Sequence, residues 1–296
     1  MRILALIFFH LLISSCGNNV ENLYEQEQEQ EQEQNPNHTK SESEFNLTPP
    51  PGRLGIIVQA GIVQGAICNL YSLNNRGSKI AKIKSIMTDT TGLADLEFKD
   101  VSAIETIEIE CIRGSYVDEA TGQKVQRDDS NPLTLLLSEL SENDLARYHP
   151  VTTLTSMSAE YAKASKQKDT KWKDLLSSSD RITADIFDIE SIHNVAENHN
   201  IYNGSMKKEG AKNMLILAGI CQAAKRLNVT CDDYGRFLVE DFMNGIIDDR
   251  HPHQTSPLKI KPNNFNGEWS DFMASSIKDW IESPYAVKSS NLIIDR

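Results

Sequence analysis

An α+β chain in several parts is what this sequence predicts: a disordered tether, a small antiparallel β-sandwich, then an all-α helical domain. Three observations carry the expectation. Residues 17–52 are acidic, poor in apolar side chains and end on Pro49-Pro50-Pro51. Residues 53–132 hold short β-rich runs separated by glycine-rich turns, the pattern of a sandwich. From about residue 133 onward, apolar residues recur at helical spacing. The 296 residues are 39% hydrophobic, which excludes a wholly disordered chain and suits about two ordered domains. A net charge of −12 with no basic tract argues against nucleic acid, whose phosphates demand a Lys/Arg surface. Beyond residue 13 there is no apolar run of ~18 residues, so no spanning helix is expected.

Residues 1–16 read MRILALIFFHLLISSC. Arg2 supplies a positive start, and Ile3 to Ile13 form an apolar stretch broken only by His10. That stretch is too short to span a bilayer but suits the core of an export signal. Small residues Ser14 and Ser15 then lead to Cys16. Ile13-Ser14-Ser15-Cys16 resembles the lipobox of bacterial lipoprotein signals: an aliphatic residue, two small residues and the cysteine. The resemblance implies that residues 1–15 are a signal peptide cleaved between Ser15 and Cys16. It also implies a diacylglyceryl thioether on the Cys16 sulfur and an acyl chain, such as palmitate, on its new amino group. Two or more chains hold a membrane firmly, whereas one does not. Gly17, where an Asp would signal retention, implies the outer rather than the inner membrane of the cell envelope. No cofactor beyond this covalent lipid is expected.

Residues 16–52 are then a lipidated cysteine and an acidic linker. Five Glu-Gln repeats run from Glu25 to Gln34, and eight glutamates face one cation, Lys40. Such a stretch buries too little apolar surface to offset its ordering entropy, and its like charges extend it. It reads as a spacer holding the body away from lipid.

Within 53–132, the β-rich runs are Leu54–Ala60, Ala66–Leu73, Ile80–Met87, Leu93–Phe98 and Glu105–Ile112. In the last of these Ile107, Ile109 and Cys111 alternate with Glu108 and Glu110, so one face is core and the other wet. Gln64-Gly65-Ala66-Ile67, then Thr88-Asp89-Thr90-Thr91-Gly92, then Gly114-Ser115-Tyr116-Val117-Asp118-Glu119-Ala120-Thr121-Gly122 follow in order. This succession is similar to the carboxypeptidase-regulatory-like (transthyretin-like) sandwiches of bacterial surface proteins. The resemblance implies a scaffold or binding module and carries no catalytic residues. Asp89 is expected to bond its own backbone in a turn rather than to hold calcium.

Residues 133–296 are expected to be helical. Pro150 opens a helix to about Ala164, Asp180–Ile189 is a short one, and Lys208–Leu227 is the most apolar. Thr230-Cys231-Asp232-Asp233 fits a capping box for the next helix, with Phe237, Leu238, Phe242 and Ile246 inward. Glu268–Glu282 closes the set, with Trp269, Phe272, Met273, Ser276 and Trp280 on one stripe. The Pro150-Val151-Thr152-Thr153-Leu154 entry, the long Lys208–Leu227 helix and the Glu240-Asp241-x-x-x-Gly245-x-x-Asp248 end of the helix that starts at Thr230 together resemble the helical half that follows such sandwiches in some surface lipoproteins.

With Cys16 assigned to lipid, four cysteines remain and allow three connectivities. Exported proteins keep disulfides. Cys221 and Cys231 flank one helix–helix turn, and Cys68 and Cys111 can both face into the sandwich, so these pairs are the expected bridges; buried free thiols are the alternative. No Gly-x-Ser-x-Gly elbow, Walker loop or His-Glu-x-x-His occurs. No catalytic residue and no metal site is expected. His251 and His253, beside Asp248, are the one local His/Asp cluster; a divalent cation held at a loop is the alternative there, and an exposed turn is the preferred reading. The three tryptophans read as core rather than as a sugar platform. The expected function is therefore a non-enzymatic, membrane-anchored envelope lipoprotein that meets another envelope protein or an extracellular ligand, and no nucleic acid. A hydrolase or carbohydrate-active accessory protein is the alternative, which convergent carboxylates or a Ser/His pair would favour. A calcium-dependent adhesion module ranks third.

Overall fold

The computed structural model describes residues 49–97, 99, 101, 104–141, 144–145, 147–196, 208–248, 260–262 and 265–283. The signal peptide and lipidation site expected at Ser15 and Cys16, and the tether as far as residue 48, lie outside the described residues. The described residues belong to one compact unit, 45–296, with an α+β architecture.

Among the described residues nine strands come first: β1 (Arg53–Val58), β2 (Ile67–Leu73), β3 (Lys79–Met87), β4 (Leu93–Glu97), β5 (Thr106–Ile112), β6 (Ser115–Val117), β7 (Lys124–Gln126), β8 (Leu133–Ser138) and β9 (Tyr148–Val151). They form three sheets, ordered β4-β1-β9, β3-β2-β5-β8 and β6-β7. The inward residues of the two larger sheets share one apolar cluster, among them Leu54, Ile56 and Leu96 from one and Cys68, Leu70, Ile107, Ile109 and Leu135 from the other. Five helices follow among the described residues: α1 (Thr153–Ser165), α2 (Trp172–Phe187), α3 (Lys208–Leu227), α4 (Cys231–Phe242) and α5 (Trp269–Ile281).

The first five strands fall where alternation and turns place them. The stretch expected to be helical from residue 133 does not: it opens with two strands. β8 pairs antiparallel with β5, and β9 pairs parallel with β1, so the first sheet is mixed rather than antiparallel. The reason lies in burial. Leu133, Leu135 and Leu137 face the main core, while Leu136 joins Leu73, Ala159, Ala162, Trp172 and Leu176 in a second cluster against α1 and α2. A strand buried on both faces shows no alternation. Pro150, expected in a first helical turn, instead lies opposite Ile57 in β9. β9 is an edge strand, where a missing N–H is tolerated. The helix starts one step later, through a capping box between Thr152 and Thr155. The tether also ends earlier than expected, since Pro49 is already buried. It closes on Gly55, where a Cβ would meet the Tyr148 ring at 2.6 Å and Pro49 at 3.0 Å.

The outer face of β5 is not wet. Glu108 is only 2% exposed, because Lys163 of α1 reaches over the sheet to its carboxylate at 2.8 Å. Burial opposes the charge on Lys163, but the Glu160 and Glu108 carboxylates outweigh it and hold its pKa above the ordinary value.

α2 begins eight residues before its expected start. Lys171 offers no side-chain cap, so the usual start signal is missing. Buried Trp172 anchors the first turn instead, donating its Nε1–H to the Asn74 carbonyl at 3.2 Å. Ile246, expected inward, is 57% exposed, because α4 ends at Phe242. Leu238 and Phe242 are inward as expected, and so are Trp269, Phe272, Met273, Ser276 and Trp280 of α5. The main cluster runs without a break from the strands through Leu154 and Met157 into α3, α4 and α5.

Cys68 and Cys111 are directly opposed on β2 and β5 and bonded, and Cys221 is bonded to Cys231 across the α3–α4 turn. The bridges close separations of 43 and 10 residues. Loop-closure entropy then assigns about 4 kcal/mol to the first and about 3 kcal/mol to the second. Denaturant melts of Cys68→Ala/Cys111→Ala and Cys221→Ala/Cys231→Ala should show both losses, the first larger. Under denaturing, non-reducing conditions none of the four thiols should react with a thiol reagent.

Candidate functional site

Two polar clusters are buried between the strands and the helices. The first is built from the turn at 114–122. Gly114 is positive in φ, and a Cβ there would meet the Gln64 carbonyl oxygen at 2.7 Å, so the chain can cross close to Gln64 and Ala66 only with glycine. Asp118 Oδ1 accepts the Ala120 and Thr121 N–H groups at 2.9 Å each, and the Gly122 N–H closes onto the Asp118 carbonyl at 2.7 Å. This is the turn chemistry the sequence implies. Its outer surface, however, is a docking face. Lys225 of α3 donates to the Ala120 carbonyl at 2.9 Å, and Trp280 of α5 donates to the Glu119 carbonyl at 2.9 Å. Beside them Arg127 pairs with Asp232 of α4 at 2.9 Å, with 1% and 10% of their side chains exposed. Burial raises the Asp232 pKa in spite of that partner. Tyr116 is held protonated, first by burial and then by the Asp232 and Asp118 charges.

Asp118, Cys221 and Cys231 place one ligand-type atom each within 4.8 Å of one another. The two sulfurs are bonded together, so neither is a thiolate donor. The bonded sulfurs make this corner a brace for the α3–α4 turn.

The second cluster joins α1, α2, β9 and the segment after α2. α2 stops because Asp188 adopts φ 53°, and the Ile189 N–H returns to the Ala184 carbonyl. The following residues, to 196, then run back past the helix ends. The Gln59 side chain exchanges two hydrogen bonds with the Ala196 backbone, at 2.7 and 3.1 Å. Asn213 of α3 donates to the Ser191 and Asn194 carbonyls at 3.1 and 2.7 Å, bracketing His193. His193 Nε2 lies 2.8 Å from Asp180 Oδ2, and Ser158 donates to Asp180 Oδ1 at 2.5 Å. His149 lies on β9, with Nε2 2.9 Å from the Asp144 carbonyl. Burial first, then the Arg147 and His193 charges, pushes His149 down to about 4, so it is neutral near pH 7.

Serine, aspartate and histidine thus meet, but with the carboxylate in the middle. An acyl-transfer triad needs the imidazole against the hydroxyl, to take its proton. Here both carboxylate oxygens are engaged and orient Ser158 and His193. The arrangement holds structure and tautomers; it does not activate a nucleophile.

Of the residues singled out in the sequence, Cys68, Cys111, Cys221 and Cys231 are brought together as two pairs. His251 and His253 lie outside the described residues. Asp248 does not act through its side chain in any contact described: its N–H donates to Asp241 Oδ2 at 2.8 Å, which accounts for the spacing of the Glu240–Asp248 motif. Asp89 Oδ1 accepts from the Thr91 N–H, the Thr91 hydroxyl and the Leu93 N–H, as a turn residue does. All three tryptophans are buried. Among the described residues, no helix is long and apolar enough to cross a membrane. No family model, no curated protein and no solved structure matches this chain.

Glu119 is the titratable outlier. Burial, then the Asp118 charge, lifts its pKa from 4.5 to about 7, and its Oε2 is buried without a partner. Between those two pH values the folded chain keeps a proton that the unfolded chain has lost, so raising the pH favours unfolding. Stability should therefore fall by about 1–3 kcal/mol from pH 4.5 to 7 through this group. In Glu119→Gln that component should vanish, and the variant should be the more stable form at pH 8, as read by paired urea melts.

Proposed function

We propose that this chain is a membrane-anchored envelope lipoprotein of a bacterium, displaying a non-catalytic binding or scaffold module. One observation carries the reading. Of five cysteines, four are bonded to one another within the body, so Cys16 has no cysteine left in the chain to pair with. It stands at the end of Ile13-Ser14-Ser15-Cys16, where a lipid thioether is the chemistry that uses a solitary thiol. Two disulfides also fit an exported protein better than a reduced cytosolic one. In this reading residues 1–15 are the signal peptide, 16–52 the acylated cysteine and acidic spacer, and Gly17 directs the protein to the outer membrane.

The shared core of the two larger sheets supports reading them as a β-sandwich of the carboxypeptidase-regulatory-like kind, with the helices as an appended α-helical half. The motifs at Gln64, Thr88 and Gly114 support the same reading, because each works as a turn or a packing contact. The partner is another envelope protein or an extracellular ligand. The order Ser158–Asp180–His193 weighs against the hydrolase alternative.

Labelled palmitate tests the anchor. The wild-type chain should take up label and sediment with membranes, and Cys16→Ala should lose both. Label retained in Cys16→Ala, or an unlabelled wild type in the soluble fraction, would overturn the proposal.

A further inference from the structure

Asp118, Cys221 and Cys231 each bring one ligand-type atom to the same place, all within 4.8 Å of one another and all buried. While the bridge is closed, the sulfurs are not thiolate donors. Opening it changes the chemistry and leaves the geometry, because three other contacts hold the same elements together. Lys225, one turn beyond Cys221 on α3, donates to the Ala120 carbonyl at 2.9 Å. Asp232, next to Cys231 on α4, pairs with Arg127 at 2.9 Å. Trp280 of α5 donates to the Glu119 carbonyl at 2.9 Å. None of these passes through a sulfur. The carboxylate is fixed as well: the Ala120 and Thr121 N–H groups both bond Asp118 Oδ1, and neither uses Oδ2. Hydrogen bonds of this kind orient the carboxylates that ligate metals.

The two bridges differ in how readily they open. Cys68 and Cys111 are 0% exposed, on paired strands inside the second sheet. Cys221 and Cys231 keep 3% and 7% exposure at a helix–helix turn, and they close the shorter loop, 10 residues against 43. Cys231 is the first residue of α4, where a helix N-terminus favours the thiolate. We propose that Cys221–Cys231 is a reversible bridge whose reduced form holds one Zn2+ through Cys221 Sγ, Cys231 Sγ and an Asp118 carboxylate oxygen. The reductant is a dithiol. One of its thiolates attacks a bridge sulfur and releases the other as a thiolate; its second thiolate then resolves the mixed disulfide. Two electrons pass to the cysteines, the dithiol leaves as a disulfide, and its two protons end on the cysteine thiols. Zn2+ binding then expels those protons to solvent. Thiolates and carboxylates are zinc donors. Around a tetrahedral zinc the ligand atoms stand about 3.5–3.8 Å apart, within the 4.8 Å of this cluster. Three protein ligands leave the fourth position to water. The ion spans the α3–α4 turn in place of the bridge, so the reduced chain keeps its brace. The inference concerns the body alone and stands whether or not Cys16 carries lipid.

The test compares the full chain in two forms, carrying Cys16→Ser so that no further thiol competes. One form is left oxidised. The other is treated with dithiothreitol under native conditions, then freed of it by gel filtration without oxygen. Mass mapping should place new thiols at Cys221 and Cys231 and none at Cys68 and Cys111. With excess Mg2+ on the tether glutamates, the reduced form should bind one more equivalent of Zn2+ than the oxidised form. Co2+ in its place should give a thiolate-to-metal charge-transfer band that the oxidised form lacks. Zn2+ should raise the melting temperature of the reduced form toward that of the oxidised form. Asp118→Asn keeps an acceptor for the Ala120 and Thr121 N–H groups but loses the charge, and should weaken Zn2+ by about 10-fold or more. No thiol released at Cys221 and Cys231, a chain that unfolds on reduction, or equal Zn2+ uptake by both forms would overturn the proposal. So would a missing charge-transfer band or unchanged affinity in Asp118→Asn; the bridge is then a permanent brace.

Discussion

The parallel pairing of β9 with β1 is the constraint on which the rest of the structure depends. It brings Tyr148–Val151 back beside the first strand after most of the sheet residues have been laid down. The Gln59 N–H then bonds the Val151 carbonyl, and the next residue, Thr152, is already the cap of α1. The helices therefore start from a sheet edge at a fixed place and angle. α1 lands on the outer face of β8, where the Ser156 hydroxyl accepts the Thr134 N–H at 2.7 Å and Lys163 finds Glu108. Without that return there would be no cover for Leu136 and no counter-charge for a buried glutamate. The same strand places His149 and supplies the Tyr148 ring that makes Gly55 obligatory.

A second tie works at the opposite end of the helices. The turn at 118–122 is held by its own aspartate, then gripped by Lys225 and Trp280. The adjacent Arg127–Asp232 pair is almost fully buried. Such a pair gains little net stability over an apolar substitute, because desolvation consumes most of the attraction, but losing one partner strands the other's charge. Its effect is on alignment. Arg127 also donates to the Asn131 carbonyl, and Asn131 to Asp233, so the chain entering β8 is registered against the first turn of α4. The Cys221–Cys231 bridge fixes that same turn from the other side. Asn228, in the left-handed conformation, and Thr230, as the cap, make the turn short enough for it.

How much of this could be seen in the chain itself depended on whether the signal was local. β5 alternates and was legible, α3 is apolar on most faces and was legible, and Thr230 announces α4 with a recognisable cap. β8 was not, because a strand covered on both faces loses its period. Pro150 was misleading, since the same ring that favours a helix start also suits an edge strand. The alternation of β5 assigns Glu108 to water, because nothing within that strand tells that α1 crosses it. The second buried polar cluster is the extreme case: His149, His193 and Asn213 are 44 and 20 residues apart in sequence, with no spacing rule linking them. The His251–His253 pair, by contrast, stands out in the sequence because its members are neighbours along the chain.

The second sheet shows how the fold handles its own weakness. β3 is an edge strand with Ile80 and Met87 65% and 68% exposed, a template on which another strand could pair. Register shifts between Leu70 and Tyr71 and between Ser72 and Leu73 break the ladder to β2 in two places, so the free edge is not straight. Lysines at 79, 82 and 84 add charge along it, with Lys79 drawn across Tyr71 to Glu110 and Lys84 opposite Leu70. A second strand would have to desolvate those charges and follow an interrupted register. A bend and three cations along β3 therefore oppose the pairing of that edge with a further strand.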